Sequence, residues 1–347
     1  MSISLSLVST VLDDRQGAEN LLADLLKQTR LPDEFVVVDG GSNDGTYDYL
    51  CDQKKTLPFT LRIIQEKGAN VSRGRNLAIE NAVHEVILTT DFGCRLDGDW
   101  VKELAAPFEQ DSTVEIVTGS WQIPEKDVQT PAQWAEWALA GGKLGLKATP
   151  TCLASTRSLA FKKQVWLDFG KYPEDLTLTG DDAIFSLWMV SAKRKIIAAP
   201  QAMCYWHRFP KLKSYLKEAR RNFRGAGEAV FFLNYGIKAG VLFALETLSL
   251  LTVVTLLALL PFGLPIWLLL VATLATLLIW SKRLLRWFGA IRCLSNFDKS
   301  SYWPWVIGLE LGIRANGVYG YWLGLFYGFK HCQECRERMN ELGVRRW

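Results

Sequence analysis

What the chain lacks narrows it first. A net charge of only +4 across 347 residues is too small for a nucleic-acid-binding surface, so nucleic acid is not expected as a partner. The seven cysteines are odd in number and scattered, without the spacing of a disulfide framework. That usage fits a reducing compartment rather than secretion. The start, Met-Ser-Ile-Ser-Leu-Ser-Leu, lacks the basic region and unbroken apolar core of a signal peptide and reads as mature protein. No unit of roughly 20–50 residues repeats, and no tract is of low complexity. No Gly-x-Gly-x-x-Gly opens the first helical segment, which disfavours an ordinary dinucleotide-binding fold.

What is present begins with apolar residues, 49% of the chain and ample for a core. The length suggests two structural units. Strand-like runs at Ile3–Leu12, Phe35–Val38, Leu61–Ile64 and Glu85–Thr89 alternate with helical patterns at Gln16–Gln28, Thr46–Cys51 and Ser72–Val83. This β-α-β-α-β-α-β order predicts a mostly parallel sheet with helices on both faces. Further helices are expected at Asp99–Phe108, Pro131–Ala140, Val165–Phe169 and Asp181–Ser191, with strands at Glu115–Ile123, Ser158–Phe161 and Lys195–Ala198.

Five stretches carry candidate chemistry. Phe35-Val36-Val37-Val38 ends at Asp39, and Gly40-Gly41-Ser42-Asn43-Asp44-Gly45 turns into the next helix. An acid at the carboxyl end of a parallel strand sits where open α/β sheets bind ligands, and Asp39 there can accept hydrogen bonds from a base or ribose. The same residues also fit an ordinary strand–turn–helix with a solvated Asp. Ser72-Arg73-Gly74-Arg75-Asn76 offers two guanidinium groups at a helix N-terminus, an arrangement suited to a diphosphate and equally to a solvated basic turn. Asp91, in Thr90-Asp91-Phe92-Gly93-Cys94, is a second acid at the same sheet edge and can share a divalent cation with substrate phosphates. Asp181 and Asp182 begin a helix after Gly180; adjacent, partly desolvated carboxylates raise each other's pKa, which suits proton abstraction from a hydroxyl, although acids also cap helices for structural reasons. Arg220 and Arg224 share a helical face with Arg221 beside them, a cationic surface for a leaving diphosphate or a lipid phosphate.

In order and spacing, Ser-Leu-Val-Ser-Thr near the start, Val-Val-Asp-Gly-Gly-Ser-Asn-Asp-Gly-Thr, Ser-Arg-Gly-Arg-Asn and Thr-Asp-Phe-Gly-Cys resemble the family 2 glycosyltransferases. The resemblance implies a Rossmann-like GT-A catalytic domain. It implies donor binding by Asp39, Gly41, Ser42, Asp44, Arg73, Arg75, Asn76 and Asp91. It also implies a metal role for Asp91 with His207, and Asp182 as general base with Asp181 as its neighbour. Two positions depart from the family pattern: Gly40 replaces the second acid of Val-Asp-Asp-Gly-Ser, and Gly93 replaces the second acid of Asp-x-Asp. Weakly bound Mg or Mn is therefore expected. The implied activity is inverting transfer of a sugar from a nucleotide sugar to a lipid-linked or glycan acceptor. A polyprenyl-phosphate glycosyltransferase and a non-catalytic nucleotide-sugar-binding scaffold are the alternatives.

The second half carries two long apolar runs, about 239–260 and 262–280, broken by Pro261-Phe262-Gly263-Leu264-Pro265. They are long enough to span a bilayer as a hairpin. Lys238 precedes the pair and Lys282, Arg283 and Arg286 follow it, which puts both ends and the catalytic domain in the cytoplasm, on a multi-pass cell-membrane protein. Tyr302–Phe329 is aromatic and Gly-rich but holds Glu310, Arg314 and Asn316, and the tail that follows holds Lys330, Arg336, Arg338, Arg345 and Arg346. This pattern reads as a helix lying in the interface. The expected organisation is thus a catalytic domain over 1–230, a hairpin over 231–286, and interfacial helices with a basic tail over 287–347, in a chain able to oligomerise. Cys332-Gln333-Glu334-Cys335 reads as incidental, since one such pair makes a poor zinc site.

Overall fold

The computed structural model describes residues 3–150, 154–177, 179–230 and 233–341. Leu178 and the tail cations Arg345 and Arg346 lie outside them. The chain forms two compact units. The first comprises 3–127, 145–208 and 327–341; the second comprises 128–144 and 209–326. The division is not the one expected at residue 230, because the helices that follow Thr130 and Lys211 belong to the second unit.

In the first unit, the apolar runs form strands β1 (Leu5–Val11), β2 (Glu34–Asp39), β3 (Thr60–Gln65) and β4 (Val86–Thr89). Helices α1 (Arg15–Leu25), α2 (Thr46–Gln53) and α3 (Val71–Asn81) connect them. The ladders in the order β3-β2-β1-β4 are all parallel. β2 and β4 are buried throughout, as continuous apolar runs demand. The sheet continues through β8 (Leu159–Lys162), β6 (Ile116–Gln122), β9 (Ile196–Trp206) and β5 (Cys94–Leu96), with β7 (Gly145–Leu146) paired to β6. This half is mixed: β6 and β9 are parallel, whereas β4–β8, β6–β8 and β5–β9 are antiparallel.

Strands of two or three residues, such as β5 and β7, are too short to leave a period in the sequence. β9 outruns its expected end at Ala198 for a different reason. Pro200 has no N–H to give the ladder, and a register shift loops it out: Ala199 pairs with Gly119, but Met203 pairs with Ser120. Helices α4 (Trp100–Gln110), α6 (Lys163–Phe169), α7 (Asp181–Ser191) and α12 (Gln333–Glu341) complete this unit. Its core gathers Leu5, Leu7, Phe35, Val37, Leu88 and Trp100, all fully buried.

The second unit is helical: α5 (Pro131–Leu139), α8 (Leu212–Glu228), α9 (Leu233–Leu259), α10 (Ile266–Ser295) and most of α11 (Trp303–His331). α9 and α10 form a hairpin around Gly263, whose φ of +88° is open to glycine and rare for other residues. Thr276 Oγ1 donates to Ser249 O (3.3 Å) across it. Gly236–Phe262 and Ile266–Ser295 are long and apolar enough to cross a membrane, and only 6% of the most apolar window of each is buried. The second of these does not start at 262. Residues 262–265 are the turn, and the helix gains its length by continuing past Trp280.

The glycines between 312 and 324 have a packing role. A Cβ on Gly320 would lie 2.4 Å from Arg220 O, one on Gly324 2.0 Å from Arg224 O, and one on Gly227 2.1 Å from Tyr321 O. α8 and α11 therefore meet backbone to backbone, with small residues at the crossing.

Candidate active site

Asp39 and Asp91 end neighbouring stretches of the parallel sheet. Register pairs Asp39 with Val11 of β1, and β4 lies on the other side of β1. Two strand spacings separate the two positions by about 10 Å. Between β1 and β4 the strand order reverses, and the crevice beyond the carboxyl ends at such a point is where open sheets hold ligands. Ser9 Oγ bridges it by donating to Thr90 O (2.7 Å).

Asp39 is wholly buried. Its Oδ1 accepts from Gly41 N (2.9 Å), Ser42 N (2.9 Å) and Gln65 Nε2 (3.1 Å). Gly41 reaches this position with φ +103°. Oδ2 has no hydrogen-bond partner. A buried carboxylate oxygen left open is costly, so this one is set to accept an N–H or hydroxyl from a ligand. Ser42 and Asp44 brace the turn: Ser42 Oγ accepts from Asp13 N (2.9 Å) and Asp44 Oδ2 from Arg15 N (3.0 Å). The N-cap of α2 is Gly45. Hydrogen bonds from Thr46 and the Arg15 backbone hold the exposed Asp44 carboxyl below its usual range.

The Ser-Arg-Gly-Arg-Asn segment does not form the free phosphate cradle expected of it. Asn70 caps α3 by accepting from Arg73 N (2.8 Å). Gly74 presses on β1; a Cβ there would lie 2.7 Å from Thr10 Cγ2. Arg73 pairs with Glu66 (2.8 Å) and Glu174 (3.5 Å). Arg75 is buried and bridges acids, through Nη1 to Asp181 Oδ2 and through Nη2 to Asp91 Oδ1 (3.1 Å) and Thr156 Oγ1 (2.9 Å). Asn76 spends its whole hydrogen-bonding capacity inside the protein. Its Oδ1 accepts from Trp166 Nε1 and Tyr172 N, and its Nδ2 donates to Tyr172 O and Glu174 Oε1. Arg75 and Asn76 therefore organise the acids and the loop before α7 rather than presenting themselves to a donor.

Gly180, at φ +111°, turns the chain into α7, so that Asp181 and Asp182 occupy its first turn. Arg75 takes Asp181; Asp182 Oδ1 accepts from Ala183 N (2.8 Å). Desolvation, followed by the Asp181 charge, raises the Asp182 carboxyl above its ordinary value, and Arg75 and Arg157 partly offset this. One acid is thus paired with a buried guanidinium, and its neighbour has its carboxyl pKa raised.

Arg157 escapes any reading of the sequence alone. Thr89 and Thr90 side chains donate to Thr156 O (2.9 Å) and Arg157 O (3.0 Å), which ties this segment to the end of β4. The Arg157 guanidinium stacks on Trp206 (3.8 Å), with Trp121 at 5.6 Å and edge-on to Trp206. Its Nε lies 4.0 Å from Asp91 Oδ2 and is buried without a hydrogen-bond partner. Trp134 and Trp137 are buried in the second unit, where Trp134 packs on Phe297 at 5.2 Å.

Metal ligation needs the same scrutiny. Among the described residues, no three His, Cys, Asp or Glu side chains converge as a ligand set. His207 is half exposed, with Nδ1 3.5 Å from Asp127 Oδ2, so the expected pairing of His207 with Asp91 is not assembled from the protein alone. Asp91 Oδ2 remains as one carboxylate oxygen that fits a cation bringing its other ligands from a diphosphate and water. Of the proposed phosphate arginines, Arg224 pairs with buried Glu228 (2.8 Å) and Arg220 stacks on Tyr319 (4.5 Å).

The loop before α7 is braced from far along the chain. Asn70 Nδ2 donates to Glu174 O (2.7 Å) and Leu176 O (2.6 Å). Cys332 Sγ donates to Asp175 O (3.1 Å), Asp175 Oδ2 accepts from Cys335 N (3.1 Å), and Arg338 donates to Lys171 O. Both cysteines are buried, and burial pushes the Cys335 thiol up. The Cys-x-x-Cys is a structural clasp, contrary to its reading as incidental.

Comparison with known proteins matches this geometry. Residues 6–162 match the family model described as Glycosyl transferase family 2. The O-antigen chain rhamnosyltransferase RfbN of Salmonella typhimurium is 27% identical over 197 residues, covering 53% of this chain and 60% of its own. A poly-beta-1,6-N-acetyl-D-glucosamine synthase of Staphylococcus aureus is 24% identical over 228 residues, covering 64% of this chain and 54% of its own. The chain thus spans little more than half the length of these curated relatives. The mannosyltransferase PcManGT from Pyrobaculum calidifontis, solved with GDP-Man and Mn2+, shares the fold at a TM-score of 0.56 and 18% identity, covering 94% of this chain and 88% of its own.

Proposed function

From the premise that this chain carries a family 2 glycosyltransferase domain, we propose that it is an inverting, membrane-anchored glycosyltransferase. It moves a sugar from a nucleotide sugar to a lipid-linked or polysaccharide acceptor at the cytoplasmic membrane face. The observation that carries this reading is the open Oδ2 of buried Asp39, on the same sheet edge as the Asp91–Arg75–Asp181 set and the basic Asp182.

Asp39 Oδ2 accepts from the nucleoside. Asp182 takes the proton of an acceptor hydroxyl, whose oxygen attacks the anomeric carbon from the face opposite the leaving group. The bond from that carbon to the phosphate oxygen breaks, and the electron pair leaves with the nucleoside diphosphate. Arg157, with its unpartnered Nε, neutralises the charge that develops there. A divalent cation shared between Asp91 and the diphosphate would add Lewis-acid stabilisation. Trp121 and Trp206 hold the Arg157 guanidinium in place for its charge-neutralising role.

The relatives' names support this reading, since each is a glycosyltransferase or a glycan synthase. The apolar, outward-facing hairpin supports a membrane, and Lys238 and Arg286 at its two ends support a cytoplasmic catalytic side.

Thermal unfolding of the purified chain against UDP-, GDP- and dTDP-linked sugars tests the reading. One donor should raise the melting temperature, and Asp39→Asn should weaken that donor about 10- to 100-fold, the worth of a hydrogen bond to a charged group. No shift with any donor would sink the proposal. With the donor in hand, chelator should lower transfer and added Mn²⁺ should restore it.

A further inference from the structure

The second unit forms a half-open cleft of about 520 Å³, the size of a small-molecule site, that the transfer chemistry does not use. Its walls are mostly apolar side chains of α5, α8, α9 and α11, among them Leu139, Phe223, Leu242, Leu309 and Ile313. Four cations, Lys238, Arg283, Arg286 and Arg314, line it against two carboxylates, Glu136 and Glu310. With Glu246 behind Arg283, the cations still outnumber the acids.

The internal pairing leaves donors over. Arg283 Nη2 donates to both Glu246 oxygens (3.0 Å each), and Arg283 Nη1 lies 3.1 Å from Glu310. Arg283 Nε, Arg314 Nε and Arg314 Nη2 are buried and make no hydrogen bond, although Arg314 Nη2 lies 3.3 Å from Glu246. Unmet buried N–H groups beside surplus positive charge ask for an anion with several acceptor oxygens.

The level along the hairpin indicates which kind of anion. Lys238 and Arg286 each stand about 30–33 Å of helix from the Pro261–Pro265 turn, at 1.5 Å per residue. The hydrocarbon core of a bilayer is about 30 Å thick, so these cations lie at its edge, where lipid phosphates sit.

We propose that this cleft binds the head of a phosphate-bearing lipid, its phosphoryl oxygens on Arg283, Arg286 and Arg314 and the first part of its apolar chain along the leucine-lined wall. The inference rests on the membrane-anchored transferase reading and narrows its acceptor to a lipid phosphate or a lipid-linked glycan diphosphate.

The test uses the full chain in neutral detergent, titrated with farnesyl phosphate, farnesol and inorganic phosphate and followed by thermal unfolding. Farnesyl phosphate should raise the melting temperature saturably, and neither fragment alone should do so at the same concentration. A Lys238→Gln/Arg286→Gln double variant, which alters exposed side chains and leaves the buried arginines in place, should weaken farnesyl phosphate at least tenfold; Arg314→Met should do the same. An equal shift with farnesol overturns the proposal, as does an equal shift with inorganic phosphate, which would mark a free-anion site. Unweakened binding in both variants overturns it as well. The assay contains no sugar nucleotide. A chain that binds the probe yet transfers no sugar from any donor sinks the transferase reading alone; one that transfers sugar but ignores the probe sinks this inference alone.

Discussion

Each unit buries an arginine between two carboxylates, and the two are built for different ends. In the sheet unit, Arg75 joins Asp181, at the first turn of a helix, to Asp91, at the end of a strand. In the helical unit, Arg283 joins Glu246 to Glu310, both in the interior of long helices. The surroundings differ in what they leave open. Backbone groups inside a helix are already paired, and Glu310 also accepts from Trp287 Nε1, so its side chain is only 12% exposed. Asp91 has no such enclosure and remains 38% exposed, beside an acid whose pKa is raised. The same triad of charges fastens helices together in one place and gathers acids at a partly open sheet edge in the other.

This contrast can be broken experimentally. The largest effect should come from Asp182→Asn, which removes the base and touches neither arginine. Turnover should fall about 10²- to 10⁴-fold while donor affinity, measured by calorimetry, stays within about twofold. Retained turnover would remove the base assignment. Next come Arg75→Leu and Arg283→Leu. Arg75→Leu takes the guanidinium partner from buried Asp181 and should cost about 3–5 kcal/mol in unfolding experiments, whereas Arg283→Leu leaves Arg314 on Glu246 and Arg286 on Glu310 and should cost less. The rescues should diverge. Replacing Arg283, Arg314, Glu246 and Glu310 together by Met and Leu should recover stability, because a buried ion set can be exchanged for apolar packing at little cost. Replacing Arg75, Asp91 and Asp181 in the same way should leave transfer abolished. Recovery of transfer in that variant would show that the two triads serve the same purpose.

The smallest effect is on pH dependence. Asp182 must be ionised to act, so activity falls as pH drops through its raised pKa. Asp181→Asn removes one cause of that rise, so the acid limb of the rate profile should move to lower pH. A limb that moves upward would mean that freeing Arg75 rearranges the pair.

The motif positions were legible because strand ends and helix starts write themselves locally. Asp39, Asp91 and Asp181-Asp182 each follow an apolar run or a glycine that fixes where the backbone turns. Partners were not legible. Arg75 next to Gly74 has the composition of a phosphate loop, but its use is decided by Asp181, 106 residues away. Arg157 sits in a stretch with no periodicity, and only the bonds from Thr89 and Thr90 bring it beside Asp91. The hairpin was legible from length and hydropathy. The purpose of Glu246 within it was not, since its counter-charge arrives from the next helix. The Gly-rich composition of α11 was legible, but not its purpose, since Arg220 O and Arg224 O, a hundred residues earlier, require Gly320 and Gly324 for close contact.

The clasp between residues 332–338 and the loop before Asp181 has a consequence for synthesis. A ribosome makes the sheet edge first, then both bilayer-length helices, and only afterwards Cys332, Cys335 and Arg338. Until those residues emerge, the segment from Lys171 to Leu176, a few residues before Asp181 and Asp182, lacks its outer fastening. The loop before Asp181 is thus fastened only after both long apolar helices have been made, so its bracing depends on residues synthesised more than 150 positions later.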